Sequence, residues 1–560
     1  MLRTLATSAA LLFSMLSFGQ TNYYVSVFGN NDNNGSSASP FRSIQYAIEN
    51  SNPGDTIIVY GGSYYEYLNI THNDLTIRKE WPQDQVSVQQ PLDNPGAEPI
   101  LLKIDSKSNI RILGIAFLNL TANDGIGILV KGNSDNITIA DAEISEINFT
   151  STLNPTVNET TNAQPIIVLG NSIDPIENIT IRNCFIHDCT IGYSEGLAIN
   201  GNVANFIIEN NTIEDLTNIA IDAIGHEGTC PDPNLDQARN GIIRGNIISS
   251  CLSQYATSAA IYVDGGRDIV IERNYTNHNG YGIEVGCEHV GKSAENIIIK
   301  NNIIQDNEVT GIAIGGYDYP NNSGTVNNVI IRNNTLYKND YLNDFTGEFL
   351  MTHCSNIRFV NNIFFLNNQG ILGYAENDGG GNVMTSNLIW NPIGGFELSW
   401  YNQTIDDISQ FQSTLNWTNA ATFGSPFFVS VSNQNFNLNS NSNAIGYADL
   451  MTNITADELD YYGNPRIMGV LDCGAAEFDD ANNTTEYNPN EYSVFPNPAN
   501  QYLNLGKTYT SNHIEVYSSL GKCVYSNINF DENYIDVSSW SPGVYLLRVA
   551  GRVEKVIIEH

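Results

Sequence analysis

Acidic residues recur at one position of a repeated strand-like segment, and this column is the part of the sequence best suited to chemistry. The segments are LAIN (197–200), IAID (219–222), IYVD (261–264), YGIE (281–284) and IAIG (312–315). Side chains alternate between the two faces of a β-strand, so the aliphatic residues point to one face and the terminal residues to the other. We therefore predict that Asp222, Asp264 and Glu284 lie outward at equivalent positions of neighbouring strands, about 4.8 Å apart.

Three stacked carboxylates indicate a function, because like charges that face each other across strands are destabilising. A retaining glycosidase needs two carboxyls about 5–5.5 Å apart, and their proximity keeps one protonated beside an ionised partner. In this hydrolase interpretation Asp264 is the nucleophile, Glu284 is the general acid/base, and Asp222 tunes them or holds a sugar hydroxyl. No cofactor is required. Alternatively, the same three carboxylates could bind Ca²⁺.

Further polar side chains follow these segments and are candidate substrate-binding groups. Tyr262 is the outward neighbour of Asp264 and could stack on a sugar ring. The others are His226 and Glu227 in GHEG, Arg267 in GGRD, Glu288 and His289 in GCEHVG, and Asp318 in GGYD. The insertion GTCPDPNLDQARN (228–240) could wall a cleft beside them.

A loose repeat over residues 100–400 must position these groups. Its kernel is an aliphatic strand, a polar turn with Asn and another aliphatic strand, as in NITIRNCFI (178–186), NFIIENNTI (205–213) and NIIIKNNII (296–304), with a spacing of 27 or 28 residues between the cleanest neighbours. One such coil cannot bury its apolar face alone, so coils must stack. The repeat predicts an all-β fold, a right-handed parallel β-helix.

Two columns of the repeat are predicted to be structural. The turn asparagines are expected to adopt the left-handed conformation and to hydrogen-bond to the next coil; they are Asn211, Asn246, Asn274, Asn302, Asn334 and Asn362. Charges that mostly alternate in sign form a second ladder, as cross-strand pairing favours; they are Arg182, Glu209, Arg244, Glu272, Lys300 and Arg332.

The ends of the repeat body carry their own signals. In residues 23–66, Ser39 and Pro40 suit the first positions of a capping helix. This segment resembles the opening of secreted pectate-lyase-like β-helix proteins, and residues 442–478 resemble the closing segment of that group. Both resemblances imply the fold.

The chain is predicted to be exported. Arg3, the apolar run 5–18 and the small residues before Gln20 make residues 1–19 a signal peptide, the β-helix spans 20–478, and a polar linker covers 479–490. Residues 491–560, with VFPNPANQYLNL, SLGK and SPGVYLLRV, resemble the type A sorting domain of the type IX secretion system of Bacteroidetes. The resemblance implies a small C-terminal β-sandwich, the secretion machinery as partner, and passage through the periplasm to the medium or the outer-membrane surface.

Charge and composition exclude several functions. The net charge of −36 and only 24 basic residues argue against nucleic-acid binding, and a neutral glycan suits this charge better than an anionic one. No apolar stretch beyond the signal peptide approaches the roughly 18 residues of a transmembrane helix. The eight cysteines show no CxxC pair, which leaves disulfides or free buried thiols.

Residues 261–291 resemble the active-site stretch of the β-helical β-xylosidases of glycoside hydrolase family 120, with IYVD, an RN turn and EV followed by a His. The resemblance implies Asp264 as nucleophile and Glu284 as acid/base. We predict a secreted carbohydrate-active enzyme, a retaining glycoside hydrolase acting on a plant or algal polysaccharide or oligosaccharide. One alternative is a polysaccharide lyase using Ca²⁺ or a cation from Arg239, Arg267 and Lys292. Another is a non-catalytic cell-surface protein.

Overall fold

The structure is a computed structural model. It describes residues 20–92, 98–316, 318–376, 379–449, 454–466, 470–478, 499, 502–504, 512–518, 522–530, 534–549 and 552–558. The predicted signal peptide and the linker 479–490 lie outside these residues. No helix in the described part of the chain is long and apolar enough to cross a membrane.

The body is a stack of coils, each of which contributes one strand to each of three parallel sheets of 13 strands. The first sheet contains Asn22–Val25, Thr56–Val59, Leu75–Lys79, Ser108–Leu113, Asp135–Ala140, Ile176–Arg182, Val203–Glu209, Arg239–Arg244, Arg267–Glu272, Ser293–Lys300, Thr325–Arg332, Cys354–Val360 and Val383–Thr385. The second contains Leu68–Asn69, Ile100–Asp105, Gly125–Lys131, Ala163–Gly170, Leu197–Gly201, Ile221–Ile224, Ala259–Asp264, Tyr281–Gly286, Thr310–Gly315, Phe349–Thr352, Ile371–Ala375, Glu397–Trp400 and, antiparallel at its end, Gln403–Ile405. The third contains Gly62–Tyr65, Val86–Gln89, Ala116–Thr121, Glu143–Asn148, Phe185–Cys189, Thr212–Leu216, Ile247–Ser249, Tyr275–Asn277, Ile303–Gln305, Thr335–Tyr337, Ile363–Phe365, Asn387–Trp390 and Ala421–Phe423. The predicted parallel β-helix is therefore confirmed.

The core is a continuous column of aliphatic side chains that point into the stack from all three sheets. The residues predicted to point inward from the second sheet, Ile199, Ile221, Val263, Ile283 and Ile314, are all buried. Because each coil buries its apolar face only against its neighbours, the stack is stabilised as a whole rather than coil by coil.

The asparagine column is a buried ladder, as predicted. The side-chain amide of each Asn donates to the amide oxygen of the Asn in the next coil, from Asn211 through to Asn362, at 2.9–3.0 Å. The left-handed conformation, however, was predicted for the ladder asparagines themselves, and this prediction is wrong by one residue. The left-handed residue is the one before, for example Asn210 with φ 56° and Arg273 with φ 56°, because this bend turns the following Asn inward where it can pair.

The charge ladder has the predicted register, with Arg244 opposite Glu272 and Glu272 opposite Lys300. Arg244 forms an ion pair with Glu209 at 2.7 Å, and Lys300 with Glu272 at 3.1 Å. These side chains are half-buried rather than exposed, and Arg332 is buried because the closing segment lies on it. There, Glu458 accepts from both Arg332 and Lys300, and these cations lower the pKa of Glu458 to about 2 against the opposing effect of burial.

The N-terminal helix caps the first coil but begins later than predicted. It spans Ile44–Asn50, and its N-cap is Ser43, whose hydroxyl accepts from the Tyr46 amide. Ser39 and Pro40 precede it in the loop. Glu66 fixes the helix start by accepting from the Ile44 and Gln45 amides. At the other end, helix Ile408–Leu415 packs beside the last coils, and the hairpin of Phe428–Ser430 and Asn435–Leu438, with the 3₁₀ turn Val431–Asn433, belongs to the closing segment.

The C-terminal segment forms a small all-β unit with its own core. Its strands are Tyr502–Asn504, Asn512–Ser518, Cys523–Phe530, Tyr534–Asp536, Gly543–Val549 and Arg552–Ile558, in a two-stranded and a four-stranded antiparallel sheet. Leu503, Ile514, Val516 and Leu547 are among the residues buried between them, as a β-sandwich requires. All eight cysteines of the chain are free thiols, and seven are buried.

Candidate active site

The strands that carry the predicted acidic column pair in a different register from the one expected. Asp222 lies opposite Tyr262, Tyr262 lies opposite Glu284, and Asp264 lies opposite Gly286. The prediction that the three acids occupy equivalent positions is therefore wrong by two residues. All three still face outward, because a shift of two residues preserves the face of a strand.

Six carboxyl side chains gather around this face, and we call them the acidic cluster: Glu195, Asp222, Glu227, Asp264, Glu284 and Glu288. Asp222 and Asp264 are only 3% and 4% exposed. Glu195 and Glu284 are partly buried, and Glu227 and Glu288 lie at the surface. The cluster thus runs from the sheet surface out to solvent.

Hydrogen bonds hold the cluster in place. The backbone amide of Glu288 donates to Asp264 Oδ1 at 2.8 Å, and the Tyr262 hydroxyl hydrogen-bonds to the Glu288 side chain. After burial, the charge of Glu288 raises the pKa of Asp264 most, ahead of the charges of Glu227 and Glu284. The sequence placed Glu288 only among the substrate-binding groups.

The insertion after the strand Ile221–Ile224 brings Glu227 to the cluster. Buried Asp236 accepts from the amides of Gly228 at 2.6 Å and Cys230 at 2.8 Å, which folds the insertion into a compact loop. At its start, Glu227 Oε2 accepts from the Asn200 side chain at 2.7 Å. The loop therefore forms one wall beside the acids.

The acids have no basic partner in the described part of the chain: none of the six forms an ion pair with lysine or arginine. Burial, followed by the charge of Glu288, raises the pKa of Glu284 to about 8. Burial and Glu227 raise the pKa of Glu195 to about 7. The pKa values of Asp222 and Asp264 are also raised, first by burial and then by Glu195 and Glu288 respectively. The cluster therefore retains protons at neutral pH.

A bound cation is a second way to neutralise the negative charge of these acids. One ligand atom each from Glu227, Asp264 and His289 lies within 4.8 Å of the other two, which is a possible metal-binding arrangement. Two oxygens and an imidazole nitrogen suit a divalent transition metal better than Ca²⁺, which prefers oxygen ligands alone. The predicted calcium set of Asp222, Asp264 and Glu284 differs from this arrangement.

Two predicted site residues have partners outside the acidic cluster, and a third is partly buried beside it. Arg267 donates to the Gln237 side chain at 3.1 Å and pairs with Asp268 at 2.5 Å, so its charge is already neutralised. Asp318 organises its own turn, where it accepts from the side chain of Asn321. His226 packs next to Gly265, and its burial lowers its pKa, which keeps it neutral.

A cleft of about 390 Å³ adjoins the acidic cluster on the side of the earlier coils. Glu195 and Glu227 belong to both, and Tyr193 and Gln164 line the cleft with them. Glu195 and Gln164 were not predicted as site residues from the sequence. The only available signal was the acid in the YSEG turn directly before the LAIN strand.

Comparisons with known proteins agree with this architecture. Residues 234–407 match the family model of the right-handed β-helix region, and residues 493–559 match that of the secretion system C-terminal sorting domain. The chain therefore carries the predicted sorting tail for export to the cell surface or beyond. The matched β-helix family is right-handed, as predicted for this chain.

Solved structures with the same kind of coil cover much of the chain at low identity. The complex of XylC with xylose is 12% identical, with a TM-score of 0.43 over 66% of this chain and 83% of that one. Pectate lyase Pel9A is 16% identical, with a TM-score of 0.44 over 82% and 97%. The GH136 lacto-N-biosidase from Eubacterium ramulus is 13% identical, with a TM-score of 0.43 over 66% and 64%.

One curated relative is similar over most of its length. The uncharacterized protein YwoF of Bacillus subtilis (strain 168) is 30% identical over 446 residues, which cover 75% of this chain and 91% of that protein. The chain therefore belongs to the same protein family as YwoF.

Proposed function

We propose that this protein is an exported glycoside hydrolase and that the acidic cluster is its active site. The observation that carries the proposal is a gathering of carboxyls, with Asp222 and Asp264 almost fully buried, that has no lysine or arginine partner among the described residues. Hydrolysis of a glycosidic bond needs a protonated carboxyl for the leaving group and an ionised one to act as nucleophile or base.

Asp264 is the proposed ionised carboxylate. Its Oδ1 accepts the Glu288 amide at 2.8 Å, which lowers its pKa relative to burial alone. By contrast, Asp222 Oδ1 is buried with no hydrogen bond. Of the two most buried acids, Asp264 is therefore the one whose ionised form is better stabilised, and Asp222 is the better proton reservoir.

Glu284 and Glu288 are the two candidates for the acid, and the strand register bears on the distance from Asp264 to Glu284. Glu284 is on the neighbouring strand but offset from Asp264 by two residues, which places the two Cα atoms roughly 8 Å apart from standard strand dimensions. With both side chains pointing outward, this separation favours an inverting reaction, whose carboxyls are about 6.5–9.5 Å apart. Glu288, whose backbone amide donates to Asp264 Oδ1, is the second candidate acid, and a carboxyl separation of about 5–5.5 Å from Asp264 would instead give retention.

Paired variants test the assignment. Glu284→Gln and Glu288→Gln are compared on one substrate with a poor leaving group and on one activated aryl glycoside. The true acid variant loses about 10²–10⁴-fold on the former and far less on the latter, because the activated aglycone departs without a proton. NMR of the first-formed anomer should then show inversion if Glu284 is the acid and retention if it is Glu288. Equal, small effects of both variants on both substrates would contradict the proposal.

A polysaccharide lyase remains the second candidate, favoured by the geometry of Glu227, Asp264 and His289. A bound cation there would neutralise a substrate carboxylate, and Lys292, three residues after His289, would be the nearest candidate base. This mechanism gives an unsaturated product, which hydrolysis does not. Product absorbance therefore separates the two candidates.

A further inference from the structure

We infer that the cleft beside the acidic cluster binds uncharged sugar units and thereby selects neutral glycans over uronate-containing or sulfated ones. This inference rests on the proposed function in one respect: it takes the acidic cluster as the place where the glycosidic bond is cleaved. It adds a substrate class and the residues that select it.

The cleft is continuous with the acidic cluster and spans several coils. Ile126 on the strand Gly125–Lys131, Gln164 on Ala163–Gly170 and Ile224 on Ile221–Ile224 all line it. Its volume of about 390 Å³ falls in the usual range for ligand pockets. A sugar chain lying along the stack can therefore fill the cleft while its next linkage reaches Asp264.

Two outward-facing isoleucines supply the aliphatic part of a cleft lining that is otherwise mainly polar. Ile100, Leu129, Ile167, Ala198 and Ile224 form an aliphatic strip outside the core, with Ile126 packed against it. This strip reaches the cleft at Ile126 and Ile224. The C–H faces of pyranose rings are apolar, so the partly exposed Ile126 offers a small contact surface for them.

An aromatic pair forms part of the rim. Tyr193 lines the cleft and is 46% exposed, and its ring stacks on Tyr255 at 4.8 Å between centroids and 17° between planes. Because Tyr255 supports one side of it, Tyr193 is held in a fixed orientation before any ligand arrives. A rigid, partly exposed tyrosine is well suited to pack against a sugar ring.

The polar lining selects against anions. Asp124, Glu195 and Glu227 accept hydrogen bonds, Asn162 and Gln164 offer amides, and no lysine or arginine lines the cleft among the described residues. Hydroxyl groups can donate to these acceptors, whereas a uronate or sulfate would be desolvated next to carboxylates with no counter-charge. A neutral sugar can donate its hydroxyls to this polar lining and brings no charge that must be desolvated.

The test measures binding by calorimetry in full-length protein, separately from turnover. Asp264→Asn and Glu284→Gln, each checked for a cooperative unfolding transition at or above the wild-type melting temperature, are titrated with neutral xylo- and cello-oligosaccharides and with oligogalacturonides of equal length. We expect at least one neutral series to bind and the uronides not to bind. Tyr193→Ala in the same background should weaken neutral binding by at least about tenfold. Tyr65→Ala, which removes a 55% exposed tyrosine from the third sheet, should leave it unchanged.

The outcomes separate this inference from the proposed function. If uronides bind as tightly as neutral sugars, if neither series binds, or if Tyr193→Ala has no effect, the inference is wrong. If the wild type hydrolyses uronides, the cleft assignment falls while the proposed hydrolase function stands. If neutral oligosaccharides bind with the predicted Tyr193 dependence but the wild type cleaves none of them, the inference stands and the proposed function falls.

Discussion

The buried carboxyl of Glu284 should make the β-helix less stable as the pH rises. Its pKa is about 8 in the folded protein and 4.5 for the ordinary side chain, because burial and the charge of Glu288 disfavour ionisation. Below pH 4.5 the carboxyl is protonated in both the folded and unfolded states, so its stabilising contribution is fully present. Between pH 4.5 and about 8 the unfolded chain ionises while the folded protein keeps its proton, and stability falls with pH.

The size of this effect follows from the shift. A difference of about 3.5 pKa units corresponds to roughly 4–5 kcal/mol of lost stability above pH 8, at 1.36 kcal/mol per unit. This is an upper figure, because Glu284 is partly exposed and its charge is partly screened by solvent. Glu284→Gln removes the titration, so the variant should match the wild type at pH 4.5 and exceed its stability at pH 9.

Thermal and denaturant unfolding of wild type and Glu284→Gln at pH 4.5, 7 and 9 measures the effect. Glu159→Gln, which neutralises an exposed acid that is not part of the acidic cluster, is the matched control and should follow the wild type at every pH. If Glu284→Gln shows the same pH dependence as the wild type, Glu284 ionises without penalty and the electrostatic account of the site is wrong.

The other predictions address activity, metal and export. Hydrolysis should decline above about pH 8, where Glu284 loses the proton that the leaving group needs, if Glu284 is the acid; an unchanged rate at pH 9.5 would exclude it from that role. Chelation with EDTA should leave hydrolysis and melting temperature unchanged, whereas a lyase using Glu227, Asp264 and His289 would lose both activity and stability. Deletion of residues 491–560 should hold the protein in the periplasm with the β-helix folded, as protease resistance would show, since residues 493–559 match the sorting domain; normal surface delivery of the truncated chain would contradict this.

The coil architecture could be predicted from the sequence because the pattern of apolar and polar residues in each repeat requires stacking. Aliphatic strands and a polar turn recur in every coil, and only stacking can bury them. The asparagine at each turn was recognised for the same reason, since Asn246 and Asn274 occupy one position of the repeat. The conformation of the residue before them was not recognised, because Asn, Gly and Arg all occupy that position, and no single residue type marks it.

For the acidic column, the shared face was predicted correctly and the register was not. Asp222, Asp264 and Glu284 were correctly placed on one face, since alternation determines the face. Their alignment failed because the strand Ala259–Asp264 extends two residues beyond the position paired with Glu284, and a shift by a whole period leaves the hydrophobic pattern intact. The roles of Glu288 and Glu195 depend on turns between strands, whose paths the repeat does not specify.

The most direct test of the central claim is the product analysis of wild type and Asp264→Asn on a panel of neutral oligosaccharides. The account predicts new reducing ends without unsaturated products, and a loss of at least about a thousandfold in Asp264→Asn with its fold intact. If Asp264→Asn cleaves a confirmed substrate at the wild-type rate, or if the products are unsaturated, the acidic cluster is not a hydrolase active site.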